Sequence, residues 1–556
     1  MRTVPSTSSG SLIQDPVGLE ILWTRLIAIA DEAAATLVRT SFSPIVRESN
    51  DFSCVVFDKS ANIIAENTIG IPSFNMTISR TLGHLLKWRP AERWRSGDIA
   101  ITNDPWLASG HLPDTTVVMP VFSGDRLLGW TASTAHMADI GGSIWSADTR
   151  QVYEEGFRIP PTLLFARDQP NELLIDLIRA NVRLPEQVVG DIMAQVAAGQ
   201  IAARRLLELA AETGIDQFDD FAEEVCHRAD ASMRRAISAI PDGSYLGTRE
   251  LDGTGEEPIR IQVAIEVRGD EMTVDYAGTS AEVAMSVNTV FNYTEAYTCY
   301  PLKCALDPST PRNEGSYRSI RVIAPEGSIL NPRFPAPVNA RQLVGHCLAG
   351  VCYQALAPAI PDRVIAESGS APTLLVVVSG AWPDRRPFTS ILFINGGMGA
   401  RPTSDGLTTT SFPSNIGCGS MESIEATAPL RIWRKDLVQD SGGAGQFRGG
   451  LGQEMELELI STQTAALSLL IERVAHPAAG IFGGGSGAAA HATLNGRSDQ
   501  LPKRGRSRLA PADRLIVGYP GGGGFGDPQR RAPAALNSDI AAGLVSETAA
   551  GQLYRQ

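Results

Sequence analysis

The sequence predicts an α+β protein of several lobes: mixed β-sheets and hairpins, helical segments between them, and a glycine-rich, β-dominated C-terminal part. Three observations predict it. Two stretches, "TTVVMPVFSGDRLLGWTASTAH" and "IRIQVAIEVRGDEMTVDYAGTS", read as hairpins, two extended runs around a short polar turn. Two other stretches carry helical spacing with few breakers. From about residue 373 the chain alternates β-like runs with clusters of glycine. No repeat at a fixed period is present.

The elements follow in order. Residues 1–15 form a flexible lead. From Asp15, "DPVGLEILWTRLIAIADEAAATLVRTSFSP" has helical spacing, with Pro16 suited to a first turn and Pro44 beyond the end. "DFSCVVFDKSANIIAEN" reads as two strands around a polar turn, and "DIAITND" continues the β character before the first hairpin. Residues 170–240 read as helical. The second hairpin follows, then helical stretches near 289–305 and 340–357 separated by "SYRSIRVIAPEGSILNPRFPAP". The tail "ALNSDIAAGLVSETAAGQLY" reads as a closing helix or helical pair. The organisation expected is a lead (1–15), an N-terminal α+β region (16–165), a helical region (166–245), an α+β middle (246–372), a glycine-rich β region (373–530) and a helical tail (531–556).

Bulk properties narrow the function classes. The 556 residues suggest about two to four lobes at roughly 100–200 residues each. A hydrophobic fraction of 43% with 20% charged residues supplies a large core. The formal net charge of −13 argues against nucleic acid, because phosphate binding wants basic patches. No signal-type segment begins the chain, and no run approaches the ~20 apolar residues of a membrane span. Neither a membrane nor a nucleic acid is expected as partner. The seven cysteines are odd in number, scattered, and form no C-x-x-C pair, so reduced thiols of a cytoplasmic protein are expected.

Among only seven histidines, two sit in matching H-x-x-D stretches: His111 and Asp114 in "GHLPDTTVV", His136 and Asp139 in "STAHMADIGG". These stretches flank the first hairpin, whose closed ends bring them together. Imidazole and carboxylate are ordinary ligands of divalent metals, and a catalytic site needs about three or four of them plus an open position. His111, Asp114 and His136 supply such a set, and Asp139, Asp51 or Asp104 would complete it. The competing account makes them turn residues, with aspartate capping and histidine bonded to backbone. Other motifs carry less. No G-x-x-x-x-G-K-[ST] stretch exists. "GGGGFG" fits G-x-G-x-x-G formally, but "DP" stands where a helix should open. Tight turns are expected at these glycines and at "GGAGQFRGG" and "FGGGSG". No G-x-S-x-G elbow occurs, and Cys54 and Cys347 are expected to be structural thiols.

Several long, oddly composed stretches resemble the hydantoinase B/oxoprolinase family, in the family's order and over nearly the whole chain. They are "DPVGLEILWTRLIAIADEAAATLVRTSFSPIVRESNDFSCVVFD", "ITNDPWLASGHLPDTTVVMPVF", "AHMADIGG", "NTVFNYTEAYTCYPLKCALDP", "NGGMGARPTSDG", "GQFRGGLGQ" and "PGGGGFGDP". The resemblance implies a B-type subunit of a cytoplasmic hetero-oligomer. Its partner would be a hydantoinase A-type subunit with an actin/sugar-kinase-like ATPase fold, where ATP is consumed. It implies a divalent metal, zinc or manganese, with Asp51, His111, Asp114 and His136 as ligands. Asp139 would lie just outside them, or replace one, and Asp139 and His136 would carry the catalytic work. Met137 stands where a histidine or other polar residue is expected in the family, so that position is not essential.

The reaction implied is opening of a cyclic amide or imide: a hydantoin, 5-oxoproline or another lactam. The partner would phosphorylate the carbonyl, and Asp139 would act as general base in the attack of water. A ketone carboxylase subunit of the acetone or acetophenone type is the alternative within the family, and the chain is short for an acetone carboxylase large subunit. A non-catalytic structural subunit is the alternative of another class; all candidate ligands are present.

Overall fold

The computed structural model describes residues 15–255, 257–499, 501–502 and 504–554. All but the last residue of the expected flexible lead, 1–15, lies outside the described residues. Asp15 itself caps the first helix, its side chain accepting from the Val17 amide at 3.1 Å. That helix, α1 (Pro16–Thr40), buries Leu19, Leu22, Leu26, Ile29, Ala33 and Leu37 at the spacing of one helical face. After a short α2 (Pro44–Arg47) come β1 (Phe52–Asp58) and β2 (Ile63–Glu66).

Next comes α3 (Pro72–Trp88), a helix that the sequence pattern does not predict. No side chain caps its start, and its buried residues include Ser73, Asn75, Thr77, Ser79 and Thr81 alongside Phe74, Met76 and Ile78. A helix buried nearly all round through its first two turns shows no apolar stripe.

The strands β3 (Ile99–Thr102), β4 (Asp114–Ser123), β5 (Arg126–His136), β6 (Thr162–Ala166) and β7 (Gln169–Pro170) complete a seven-stranded antiparallel sheet of order β2-β1-β5-β4-β3-β6-β7. The β4–β5 hairpin closes through Gly124 and Asp125, with Gly124 at φ +61°. Helices α4 (Glu172–Asn181), α5 (Pro185–Thr213) and α6 (Ile215–Ser238) follow. Leu19 and Leu26 of α1, Val188 and Leu206 of α5 and Val117 and Met119 of β4 share one core, while Val118 points into a second, larger one. Gln195 of α5 donates to the backbone of Thr115 (2.9 Å) and Ser133 (3.2 Å), clamping the hairpin from that side.

The larger core also joins the remaining sheets. β8 (Gly243–Leu251), β9 (Ile259–Arg268), β10 (Glu271–Asp275) and β11 (Ile320–Ile323) form a four-stranded sheet, its β10–β11 pair parallel. Around it lie α7 (Phe291–Leu306), α8 (Gln342–Gly345) and α9 (Leu348–Leu356). Farther on come β12 (Leu374–Ala381), β13 (Pro387–Ile394), α10 (Met421–Thr427), β14 (Leu430–Leu437), β15 (Gln453–Leu459), β16 (Ala465–Leu470), β17 (His491–Leu494), β18 (Arg504–Leu509) and β19 (Arg514–Gly518). They make two four-stranded sheets, β13-β12-β16-β18 and β14-β15-β19-β17. Helices α11 (Pro533–Ala541) and α12 (Glu547–Leu553) close the chain. The fold class is α+β, as the sequence predicts.

The glycine clusters depart from the expectation of tight turns. None of Gly521, Gly522, Gly523 or Gly524 has positive φ. Instead, a Cβ at Gly521 would fall 1.7 Å from the Ser441 carbonyl oxygen, and one at Gly522 2.1 Å from that of Met398. The segments cross in backbone contact and hydrogen-bond there, Gly522 donating to Gly450 (3.0 Å) and Gly443 to Gly522 (2.9 Å). Glycine is needed for close approach rather than for an unusual dihedral angle. No helix among the described residues is long and apolar enough to cross a membrane.

Candidate metal centre

Three neighbouring strands of the seven-stranded sheet end at one place. Asp114 opens β4 and His136 closes β5, and the two are direct register partners, so their side chains leave the same face. Asp51 immediately precedes β1, and its carbonyl accepts from the His136 amide at 3.0 Å. His111 reaches the same spot from the loop before β4. One ligand atom each from His111, Asp114 and His136 lies within 4.8 Å of the other two. All three are buried. Asp51 lines the same small cavity but stands outside that close group.

The hydrogen bonds define what these atoms offer. His111 Nδ1 lies 2.9 Å from the Asn339 carbonyl oxygen, which can only accept, so Nδ1 carries the proton. Nε2 is then a bare lone pair, and it faces Asp114 Oδ1 at 2.9 Å. Two acceptors meet there, and neither has another hydrogen-bond partner. Both ring nitrogens of His136 are buried without a partner as well. Unpaired buried acceptors facing one another are costly unless a cation lies among them.

Electrostatics keep the donors in the ligating state. Burial, then the neighbouring His111, push His136 down to about 3. Burial and Arg341 lower His111 as well, so both rings are neutral at pH 7. Burial alone would raise the Asp114 carboxyl, but His111 and Arg341 outweigh it and hold the group below the usual carboxylate range. Burial and the Asp114 charge raise Asp51 well above that range. Two neutral imidazoles with free nitrogens and one carboxylate oxygen fit a divalent metal of the zinc or manganese kind.

The surroundings hold the donors in place. Arg341 binds Asp114 Oδ2 through Nη2, donates from Nε to the Ser109 carbonyl at 2.6 Å, and lies 4.1 Å over the Tyr293 ring. Gly110 has φ +93°, and a Cβ there would sit 2.8 Å from Arg341 Cδ, so only glycine suits the position before His111. Trp145 packs against both imidazoles, 4.6 Å from His136 and 5.4 Å from His111, and donates Nε1 to the same Asn339 carbonyl at 2.8 Å. His346 donates Nε2 to the Tyr293 hydroxyl (2.8 Å) and accepts the Thr373 amide at Nδ1 (3.2 Å). Sequence reasoning missed Arg341, Trp145, Asn339 and His346. The signal available was "VNARQLVGH", where polar residues and one of the seven histidines interrupt an apolar stretch.

Asp139 is not brought into the close group. Its carboxylate accepts from Arg183 Nη1 at 2.6 Å, from the Arg183 amide, and from the Gly141 amide at 3.3 Å. It shares an adjoining cavity of about 20 Å³ with His136 and Glu155. Asp104 caps its own loop, accepting the Trp106 amide at 3.1 Å. Cys347 is buried and pushed up to about 11, which disfavours a thiolate nucleophile. A chamber of about 690 Å³ adjoins the centre, reaching it along Ala138 and Phe393, with Arg183, Arg386 and Glu48 among its polar lining.

Known proteins share this chain's sequence and fold. Residues 15–528 match the family described as hydantoinase B/oxoprolinase. A Pseudomonas protein named as the B-type subunit of a D-/L-hydantoinase is 30% identical over 96% of this chain and 93% of its own. The beta subunit of the Pseudomonas jessenii caprolactamase is 30% identical over 96% of this chain and 94% of its own. The crystal structure of the ATP-dependent caprolactamase from that organism superposes with a TM-score of 0.88 over 97% of this chain and 96% of that one, at 29% identity. A nucleotide-free acetone carboxylase structure also gives a TM-score of 0.88, over 99% of this chain and 80% of that one, at 19% identity; this likeness is one of fold.

Proposed function

Because the chain belongs to the hydantoinase B/oxoprolinase family, we propose that it is the metal-dependent B-type subunit of a two-subunit, ATP-dependent amidohydrolase that opens a cyclic amide or imide. The observation that carries this reading is the convergence of His111, Asp114 and His136, with unpaired ring nitrogens and a carboxylate oxygen turned toward one another. These three would hold the metal, with Asp51 the nearest further ligand. Bound there, a divalent metal would polarise a substrate oxygen and bring the pKa of a water toward neutrality.

An amide carbonyl is a weak electrophile. The partner, an ATPase of hydantoinase A type, phosphorylates its oxygen, giving an imidate-like phosphate. Water adds to the imidate carbon and gives its proton to Asp139, which Arg183 keeps oriented beside His136. The ring C–N bond then breaks as the nitrogen takes a proton. The acyl phosphate left is hydrolysed to carboxylate and phosphate. The 690 Å³ chamber would receive the substrate, and buried Trp145 and Phe393 would limit stray water at the centre. The 30% identity to a caprolactamase subunit supports the hydrolase branch over ketone carboxylation.

The test is elemental mass spectrometry on the purified chain and on its His111→Ala and His136→Ala variants, followed by turnover of hydantoin, 5-oxoproline and caprolactam with ATP and the partner. About one divalent metal per wild-type chain is expected, lost in both variants together with activity. Asp139→Asn is expected to keep the metal and lose turnover by roughly 10²–10⁴-fold. Metal and full activity in the histidine variants would sink the assignment, and carboxylation of acetone in place of ring opening would move it to the other branch.

A further inference from the structure

Glu155 lies outside the group of ligands and has no role in the reaction above, yet its bonds lead to both histidines. It follows the loop after β5 and is buried. Its Oε1 accepts three hydrogen bonds: from the Val338 amide (2.7 Å), the Asn339 amide (3.0 Å) and the Thr149 hydroxyl (3.0 Å). Those bonds fix the backbone at 338–339. The Asn339 carbonyl in turn accepts from His111 Nδ1 and from Trp145 Nε1. Glu155 therefore sets, at one remove, which nitrogen of His111 is free and where the Trp145 ring lies against His136.

The other carboxyl oxygen has a second connection. Glu155 Oε2 is buried with no protein partner, and the same is true of the Asn339 side-chain oxygen and of both His136 ring nitrogens. Glu155, Asn339 and His136 all line the cavity of about 20 Å³. A buried water needs at least ~10–15 Å³ of such space and two to four polar partners. This cavity meets both requirements, and its polar atoms belong to the residue that orients His111 and to the other histidine.

We propose that Glu155 is the positioning residue of the metal centre: it orients His111 through the Asn339 carbonyl and His136 through one structural water held between Glu155 Oε2, the Asn339 side chain and the imidazole. This rests on the metal-centre reading above. Outer partners of ligating histidines fix ring orientation and raise ligand basicity, and their loss typically costs 10–100-fold in metal affinity.

The experiment uses Co²⁺ as the probe on the full chain, with affinity from chelator competition, the visible absorption of the bound ion, and thermal melting as the folding control. Glu155→Ala is expected to weaken Co²⁺ binding roughly 10–100-fold and to shift the absorption bands. Glu155→Gln keeps an oxygen for the two backbone amides, so it should recover most of the affinity but not the wild-type bands. Asn339→Ala leaves the backbone carbonyl in place and removes one water partner; it should shift the bands even if Glu155→Ala does not fold. Wild-type affinity and bands in folded Glu155→Ala, or unchanged bands in Asn339→Ala with Glu155→Ala unfolded, would overturn the inference alone. A wild-type chain that binds no Co²⁺ would overturn the metal centre itself, and this inference with it.

Discussion

Asp114 meets different demands at its two oxygens. Oδ2 is bound to Arg341 and Oδ1 faces the bare Nε2 of His111, so one arm is fixed by the protein and the other is left for a ligand. Glu155 shows the opposite electrostatics. Burial pushes its carboxyl up to about 8, against the opposing hydrogen bonds from the Asn339 and Val338 amides. The native state therefore holds a proton that the unfolded chain has released between pH 4.5 and 8. Its contribution is full below about pH 4.5 and is lost as pH rises through 8. Relative to wild type, Glu155→Gln should gain stability across that window by at most ~1.4 kcal/mol per pH unit. Denaturant titrations of both proteins at pH 5 and pH 8 measure this difference, and a constant offset would contradict it. His111, Asp114 and His136 were legible as candidates from residue type and spacing. Glu155 was not, because a lone glutamate has no signature until burial removes its water.

The decisive element is the β4–β5 hairpin. Its register places Asp114 opposite His136, and β1 runs antiparallel beside β5 with Phe52 opposite Ala135. Side chains alternate faces along a strand, so one inserted residue between Trp130 and His136 would turn His136 to the opposite face. That insertion should abolish metal binding, whereas an insertion at the Gly124–Asp125 turn should spare it; metal content reads both. Gly129 is where β5 passes closest to β1, since a Cβ there would lie 2.2 Å from the Phe57 carbonyl oxygen. Gly129→Ala should destabilise the sheet by about 1–3 kcal/mol, seen as a lower denaturant midpoint. The hairpin was readable from alternation around a short polar turn. Helix α3 was not, since its buried face is as much serine, asparagine and threonine as it is apolar.

At the scale of the molecule, the centre lies where separate parts of the chain meet. His111, Asp114 and His136 come from one sheet, while Asn339 and Arg341 come from a segment more than 200 residues later. A ligand that binds only the folded state stabilises it by mass action. Removing the proposed metal with a chelator should therefore lower the melting temperature by several degrees, and metal readdition should restore it. His111→Ala should melt at one temperature with or without chelator.

The sequence by itself determined the fold class, the hairpin, the close pairing of two H-x-x-D stretches and the family, because local periodicity, turn chemistry and ordered motifs survive in one dimension. Only the tertiary structure decided which of the four aspartates joins the histidines. Asp114 does so because the hairpin register sets it against His136, whereas Asp139 is taken up by Arg183 and Asp104 by its own loop. It also decided what the glycines do, since backbone contact between Gly521 and Ser441 depends on segments some 80 residues apart. Burial, register and long-range hydrogen bonding arise only when distant segments exclude water together, and no short window of sequence carries them.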